Sequence, residues 1–158
     1  MRIAIAADHN AVAMKTHLVA WLEAQGHDVD DRGTHGDAEV DYPALCADVA
    51  HRVADHVTDR GIVLGGSGQG EVIACNKIPG VRAGVCHTRF STEISRGNND
   101  ANVLVMGAKV VTVPEAEEIT ATWLTTPFKG GRHQRRLDQI AALERGESLV
   151  TAPEDSRP

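Results

Sequence analysis

The sequence predicts a doubly wound α/β fold, a parallel sheet with helices on both faces. Three observations predict it. Short apolar runs rich in Val, Ile and Ala alternate with helical stretches along the whole chain, the pattern of buried parallel strands joined by right-handed helical crossovers. The length, 158 residues, suits one domain with a full core. Aromatic residues make up only 3% of the chain, so Val, Ile, Leu and Ala must fill that core.

The elements follow in order. Residues 2–7 are strand-like and meet Asp8 at once, too short a run for a signal peptide. Residues 11–25 carry an apolar stripe, Val12, Leu18, Val19 and Leu22, closed by Gly26. Residues 27–31 form a weaker strand, and 42–56 a helix. Residues 61–64 are the next clear strand, entering a glycine-rich turn and a helix-like segment at 72–77. Residues 82–86 form a strand set off by Pro79-Gly80, 88–96 a helix ending at Gly97, and 103–106 the fifth strand. Residues 114–123 form a helix with Pro114 in its first turn and Glu115, Glu117 and Glu118 near its positive end. Thr126-Pro127 breaks it, and 132–145 is a last, charged helix. One domain is expected over 1–150, with a disordered tail at 151–158.

Composition excludes several functions. A net charge of −6 argues against nucleic acid as a partner. No apolar run approaches the ~18 residues of a membrane span. Cys46, Cys75 and Cys86 are far apart without a C-x-x-C pair, which predicts reduced structural thiols and a cytoplasmic protein. The eight histidines form no zinc-site spacing, so no metal is expected.

The most informative stretch is Gly65-Gly66-Ser67-Gly68-Gln69-Gly70-Glu71. A strand that ends in such a turn and enters a helix aims several N–H groups at one point, which suits an anion such as phosphate. A tight turn with no ligand is the plainer alternative, but four glycines in six residues exceed its needs. The loop lacks the G-K-[ST] ending of a nucleoside-triphosphate loop and the spacing of G-x-G-x-x-G. A carboxylate beside an anion pocket is electrostatically unfavourable unless it has a task, and proton transfer is the task Glu71 suits. Asp8-His9 lies at the same carboxyl edge of the sheet, where open α/β sheets bind ligands. Asp8 also reads as an N-cap for the first helix. Arg132 and Arg136 share one helix face and can clamp a phosphate, with a solvated charged helix as the alternative. The Asn98–Asn102 stretch suits a turn or contacts to sugar hydroxyls.

These segments resemble the ribose-5-phosphate isomerase B family of sugar-phosphate isomerases. The likeness runs from Met1 to about Glu147 and rests on Ala7-Asp8-His9, Asp41-Tyr42-Pro43, the run from Gly61 to Glu71, Ala74-Cys75-Asn76-Lys77, Asn99-Asp100-Ala101-Asn102-Val103-Leu104 and Gly131-Arg132-His133-Gln134-Arg135-Arg136. The resemblance implies a Rossmann-like three-layer α/β/α architecture with a five-stranded parallel sheet. It implies a homodimer, sometimes paired into a tetramer, whose sites draw on both chains. It implies aldose–ketose isomerisation of a small sugar phosphate through a cis-enediolate, with no cofactor, no nucleic acid and no membrane. The catalytic candidates are Glu71, Ser67 and Asn98; the substrate-binding candidates are Asp8, His9, Tyr42, Gly66, Gly68, Gly70, Asn99, Lys109, Arg132 and Arg136.

Two departures bear on the chemistry. Many members carry a catalytic cysteine where this chain has Gly65, and the chain resembles the branch in which a glutamate, here Glu71, is the base. Members also carry a ring-opening histidine where this chain has Asn98, and an amide does not titrate near neutrality. A pentose 5-phosphate must open its furanose ring before isomerising, whereas a tetrose 4-phosphate stays open-chain. Ribose 5-phosphate is the first expectation, erythrose 4-phosphate the second and a six-carbon 6-phosphate the third. A phosphosugar-binding subunit without turnover and a flavin-binding domain are the alternatives outside catalysis. Retention of Glu71 opposes the former, and the scarcity of aromatics opposes the latter.

Overall fold

The computed structural model describes residues 1–36 and 38–149. Its strands are β1 (Arg2–Ala7), β2 (Asp28–Asp31), β3 (Arg60–Gly65), β4 (Ala83–Val85) and β5 (Val103–Gly107). Its helices are α1 (Val12–Ala24), α2 (Tyr42–Ala54), α3 (Gln69–Cys75), α4 (Arg89–Gly97), α5 (Val113–Thr125) and α6 (Arg132–Glu144). All strand pairs are parallel, in the order β2-β1-β3-β5-β4. The expected α/β architecture with a five-stranded parallel sheet is therefore the one observed. The tail expected at 151–158 lies outside the described residues.

β1, β3 and β5 each feed two cores because successive side chains alternate between faces. In β1, Ile3, Ile5 and Ala7 join Leu18, Leu22, Ile119 and Trp123 from α1 and α5. Ala4 and Ala6, between them, join Cys46, Val49, Val53 and Cys75 from α2 and α3. Burial on both faces explains why β1, β3 and β5 read as unbroken apolar runs.

Helix boundaries have local causes. Thr88 and Thr112 cap α4 and α5 through reciprocal bonds with Ser91 and Glu115. Asp41 precedes α2, which has Pro43 in its first turn. Several boundaries differ from the sequence reading by one or more residues, three of them near the glycine loop or the ends of the sheet. The first helix starts at Val12, and Asp8 is not its N-cap: its Oδ1 accepts the Asn10 N–H at 2.8 Å, closing a side-chain turn before the helix. The third helix starts at Gln69, which puts Gly70 and Glu71 in its first turn. Gly97, expected as a stop, is the last residue of α4. α6 has one buried residue, Leu137, and leaves Ile140 and Leu143 exposed. Among the described residues, no helix is long and apolar enough to cross a membrane.

Candidate active site

An open cleft of about 520 Å³ lies at the carboxyl edge of the sheet. The ends of β1 and β3 supply Asp8 and the glycine loop, the start of α2 supplies Tyr42, and the turn after β5 supplies Lys109. Asp8, His9, Tyr42, Gly66, Ser67, Gly70, Glu71 and Lys109 all line it. Gly68 does not. It turns the chain into α3 with φ 80°, and its α-carbon packs toward Val85 and Met106.

Glu71 is only 4% exposed, yet borders the cleft. Its carboxyl group fills the space directly off the α-carbon of Gly65. A Cβ built on Gly65 would overlap Glu71 Oε1 and Cδ, so only glycine fits there while Glu71 keeps this position. A Cβ on Gly70 would likewise overlap the Tyr42 hydroxyl. These two close approaches account for two of the four loop glycines.

The loop is clamped from behind. Ala108 N–H donates to Gly65 O at 2.8 Å, and Lys109 N–H donates to Gly66 O at 3.0 Å. On the other side, the N–H groups of Gly66, Ser67 and Gly68 bond to no described residue. Ser67 Oγ accepts the Gln69 N–H at 3.3 Å, which leaves its own proton free to donate. The first N–H groups of α3 also lack intrahelical partners. The cleft therefore offers several donors beside one buried carboxylate, the arrangement that stabilises a negative charge developing next to a base.

His9 sits between two polar groups: its Nε2 is 3.2 Å from Asn10 Nδ2, and its Nδ1 accepts the Val40 N–H at 3.4 Å. Asn10 Nδ2 also donates to Asp8 Oδ2 at 3.0 Å. Asn10 and the Glu39–Asp41 wall were absent from the sequence-derived site. Asn10 directly follows Asp8-His9, a signal that was available. Asp41 adjoins Tyr42 in the Asp41-Tyr42-Pro43 segment, whereas Glu39 and Val40 had no signal, because a contact across the fold, Val40 N–H to His9, brings them to the cleft.

The end of β2 is held by a buried ion pair. Lys15, 1% exposed, places Nζ 2.5 Å from both oxygens of Asp31 at the end of β2. Asp31 Oδ1 also accepts the Gly33 N–H at 3.0 Å. Burial opposes ionisation of Asp31, but the bonds from Lys15 and Gly33 and the nearby cations outweigh it and hold its pKa below the usual value.

Asn98, Asn99, Arg132 and Arg136 lie elsewhere. Asn98 and Asn99 follow α4 and precede β5, so they sit at the amino edge of the sheet, opposite the cleft. Lys129 N–H donates to Gly97 O at 2.9 Å, which brings the entry of α6 to the same corner. Lys129 Nζ donates to Asn98 Oδ1 at 3.0 Å. Arg132 and Arg136 form no ion pair among the described residues; with Lys129 they, after burial, lower the pKa of His133. Asp100 and Asn102 brace the turn: Arg82 donates to Asp100 Oδ2 at 3.0 Å, and Asn102 Oδ1 accepts the Arg82 N–H at 2.8 Å. One chain thus carries an acid-rich cleft at one edge and an unpaired cationic corner at the other.

A sequence model of the family described as ribose/galactose isomerase matches residues 3–140. Ribose-5-phosphate isomerase B of Escherichia coli K12 is 41% identical over 143 residues, covering 90% of this chain and 96% of the relative. The chain belongs to the ribose/galactose isomerase family. It is also similar to the solved ribose-5-phosphate isomerase B of Clostridium thermocellum, with TM-score 0.91, 42% identity and coverage of 92% of this chain and 99% of that one. The Mycoplasma genitalium ribose-5-phosphate isomerase B, solved with bound ribulose-5-phosphate, superposes with TM-score 0.88 at 35% identity and covers 91% and 96% of the two chains. Membership makes the chain an aldose–ketose isomerase by class.

Within this isomerase family member, the cysteines are structural as expected: all three are free and buried. The neighbouring Cys75 thiol and burial push the Cys46 thiol pKa far up, so Cys46 is not a nucleophile near neutrality. Among the described residues, no group of three His, Cys, Asp or Glu side chains is placed to hold a metal.

Proposed function

We propose that this isomerase interconverts ribose 5-phosphate and ribulose 5-phosphate, with Glu71 carrying the proton between C2 and C1. The observation that carries the reading is the position of the Glu71 carboxyl, which occupies the space into which a side chain at residue 65 would project. The base has moved from one residue to another while its place in the cleft is kept.

The step balances without a cofactor. Glu71 removes the C2 proton, the C–H electrons form a C1=C2 double bond, and the carbonyl oxygen takes the charge. Free N–H groups of Gly66 and Ser67, with the Ser67 hydroxyl, stabilise that oxyanion. Glu71 then returns the proton to C1, while the O2 proton passes to O1 and C2–O becomes the carbonyl. The two carbons are about one bond apart, so one carboxylate serves both. Asp8 and Tyr42 bind hydroxyls, while His9 and Lys109 face the phosphate.

A phosphate needs more cations than this acid-rich cleft supplies. We infer that a second copy brings Arg132, Arg136, Asn99 and Asn98 to the cleft, making a homodimer with two shared sites. The unpaired guanidinium groups and the exposed Ile73 and Phe90, 62% and 73% accessible, support that assembly. Three buried free thiols fit a reducing compartment such as the cytoplasm.

Asn98 favours a second reading, isomerisation of an open-chain tetrose 4-phosphate. Its Oδ1 is engaged by Lys129 and the amide does not titrate, so it provides no ring-opening acid. The deciding experiment measures kcat/KM of the purified protein on ribose 5-phosphate and erythrose 4-phosphate. Turnover of the pentose at least equal to the tetrose supports the first reading. A preference of ~10²-fold or more for the tetrose, the worth of a positioned acid, supports the second. Turnover of neither refutes both.

A further inference from the structure

The loop that would stabilise the oxyanion is backed by β5, and the end of β5 is held by an imidazole. In the β4–β5 ladder, Val85 pairs with Val105, and Cys86 N–H still donates to Val105 O at 2.9 Å. β4 then stops, and the buried Gly107 N–H has no strand to pair with. His87 Nε2 accepts it at 3.0 Å, so a side chain takes the place of the missing carbonyl. Accepting there requires a neutral ring with its proton on Nδ1. The His87 backbone is itself fixed, because its N–H donates to Ser91 Oγ at 3.2 Å in the capping box of α4.

Gly107 touches the loop directly. A Cβ built on it would come within 2.6 Å of the Ser67 carbonyl carbon and oxygen. The next two N–H groups, of Ala108 and Lys109, hold Gly65 and Gly66. Three consecutive amides thus connect the imidazole to the loop. We propose that His87 is a positioning residue for the glycine loop: its neutral ring fixes the end of β5 against Ser67, and protonation of the ring releases it. A protonated ring would set an N–H donor against the Gly107 N–H, and either the ring or the strand end must move. The ring borders a cavity of about 210 Å³ lined by Arg89 of α4 and by Glu115 and Glu118 of α5. Arg89 pairs with Glu93, and Glu115 is held by Thr112. Burial keeps the His87 pKa below 6.5, so the neutral form prevails at neutrality.

The loop's role rests on the isomerase reading; the coupling of His87 to Gly107 does not, and the test separates them. In the unliganded wild-type protein, long-range ¹H–¹⁵N NMR should show the Nδ1–H tautomer, and the Gly107 amide shift should follow His87 with a midpoint below 6.5. A Gly107 amide that ignores the His87 titration, or an Nε2–H ring, would overturn the proposal. Kinetics on ribose 5-phosphate follow from about pH 5 to 8. His87→Ala should lower kcat about tenfold with little change in KM, and His87→Gln, whose Oε1 can accept the same N–H, should restore most of it and remove the wild-type acid limb. Equal losses in both variants, or His87→Ala within about twofold of wild type, would overturn the role in positioning. NMR coupling in a protein that turns over no sugar phosphate would sink the isomerase reading and leave the coupling standing.

Discussion

Gly65→Ala tests the site with a single methyl group. The substitution is compatible with the backbone, since Gly65 ends β3 and does not take a positive φ. The methyl carbon would overlap Oε1 and Cδ of Glu71 and lie 3.0 Å from Cγ, so the carboxyl must leave its place. Forcing Glu71 off its rotamer costs ~0.5–1.5 kcal/mol, and overpacking the site costs ~1–3 kcal/mol in stability. At ~2–4 °C per kcal/mol for a chain of this size, Tm should fall by roughly 2–12 °C. The catalytic cost is separate and of comparable size. Displacing a reacting group by ~1 Å costs about 10²-fold, so kcat on ribose 5-phosphate should fall about a hundredfold, equivalent to ~2.7 kcal/mol. The atoms nearest the added methyl all belong to Glu71, not to His9 or Lys109, so inhibition by inorganic phosphate should be unchanged. The assay is initial-rate aldose-to-ketose conversion, with thermal denaturation alongside. A folded Gly65→Ala protein with kcat within about threefold of wild type would refute the reasoning, because the carboxylate would have been displaced without consequence.

Three further outcomes are expected. Mixing Glu71→Gln chains with Arg132→Ala/Arg136→Ala chains should restore about a quarter of wild-type activity, since half the dimers would be hybrids with one intact site of two; no recovery after subunit exchange would exclude a site shared between chains. Asn98→His should raise kcat/KM for ribose 5-phosphate by tenfold or more while moving erythrose 4-phosphate by less than about threefold; equal responses would remove ring opening from the argument. Lys15→Met should destabilise the protein by about 2–3 kcal/mol at pH 7, the lower end for a broken buried pair because Asp31 keeps 27% side-chain exposure. Asp31 has a depressed folded pKa, so the pair's contribution is present above the unfolded value near 3.8 and is lost as pH falls through the folded one. Denaturant titrations of both proteins should therefore converge in strong acid, and a gap independent of pH would contradict the pairing.

Much of this molecule could be read directly from the residues, for physical reasons. β1, β3 and β5 are buried on both faces and so carry continuous apolar runs. β2 was harder, because Asp28–Asp31 holds a single apolar residue, Val29, on an edge strand. The glycine loop announced itself because close approaches exclude a Cβ at Gly65 and Gly70. Asp8 was read as a helix cap because local spacing does not show that its carboxylate turns to Asn10. The Lys15–Asp31 pair has no signal in the spacing of α1, because Asp31 meets Lys15 only across the fold. The placement of Arg132 away from Glu71 follows from the Lys129–Gly97 bond that draws the entry of α6 to the end of α4, which a linear motif does not encode.

The most direct measurement is exchange of the C2 proton of ribose 5-phosphate with solvent deuterium, followed by ¹H NMR in wild type and Glu71→Gln. Wild type should lose the C2 signal at or above its turnover rate. Glu71→Gln should slow that loss by ~10²–10⁴-fold while still binding inorganic phosphate. Wild-type exchange in a folded Glu71→Gln protein would show that another group moves the proton.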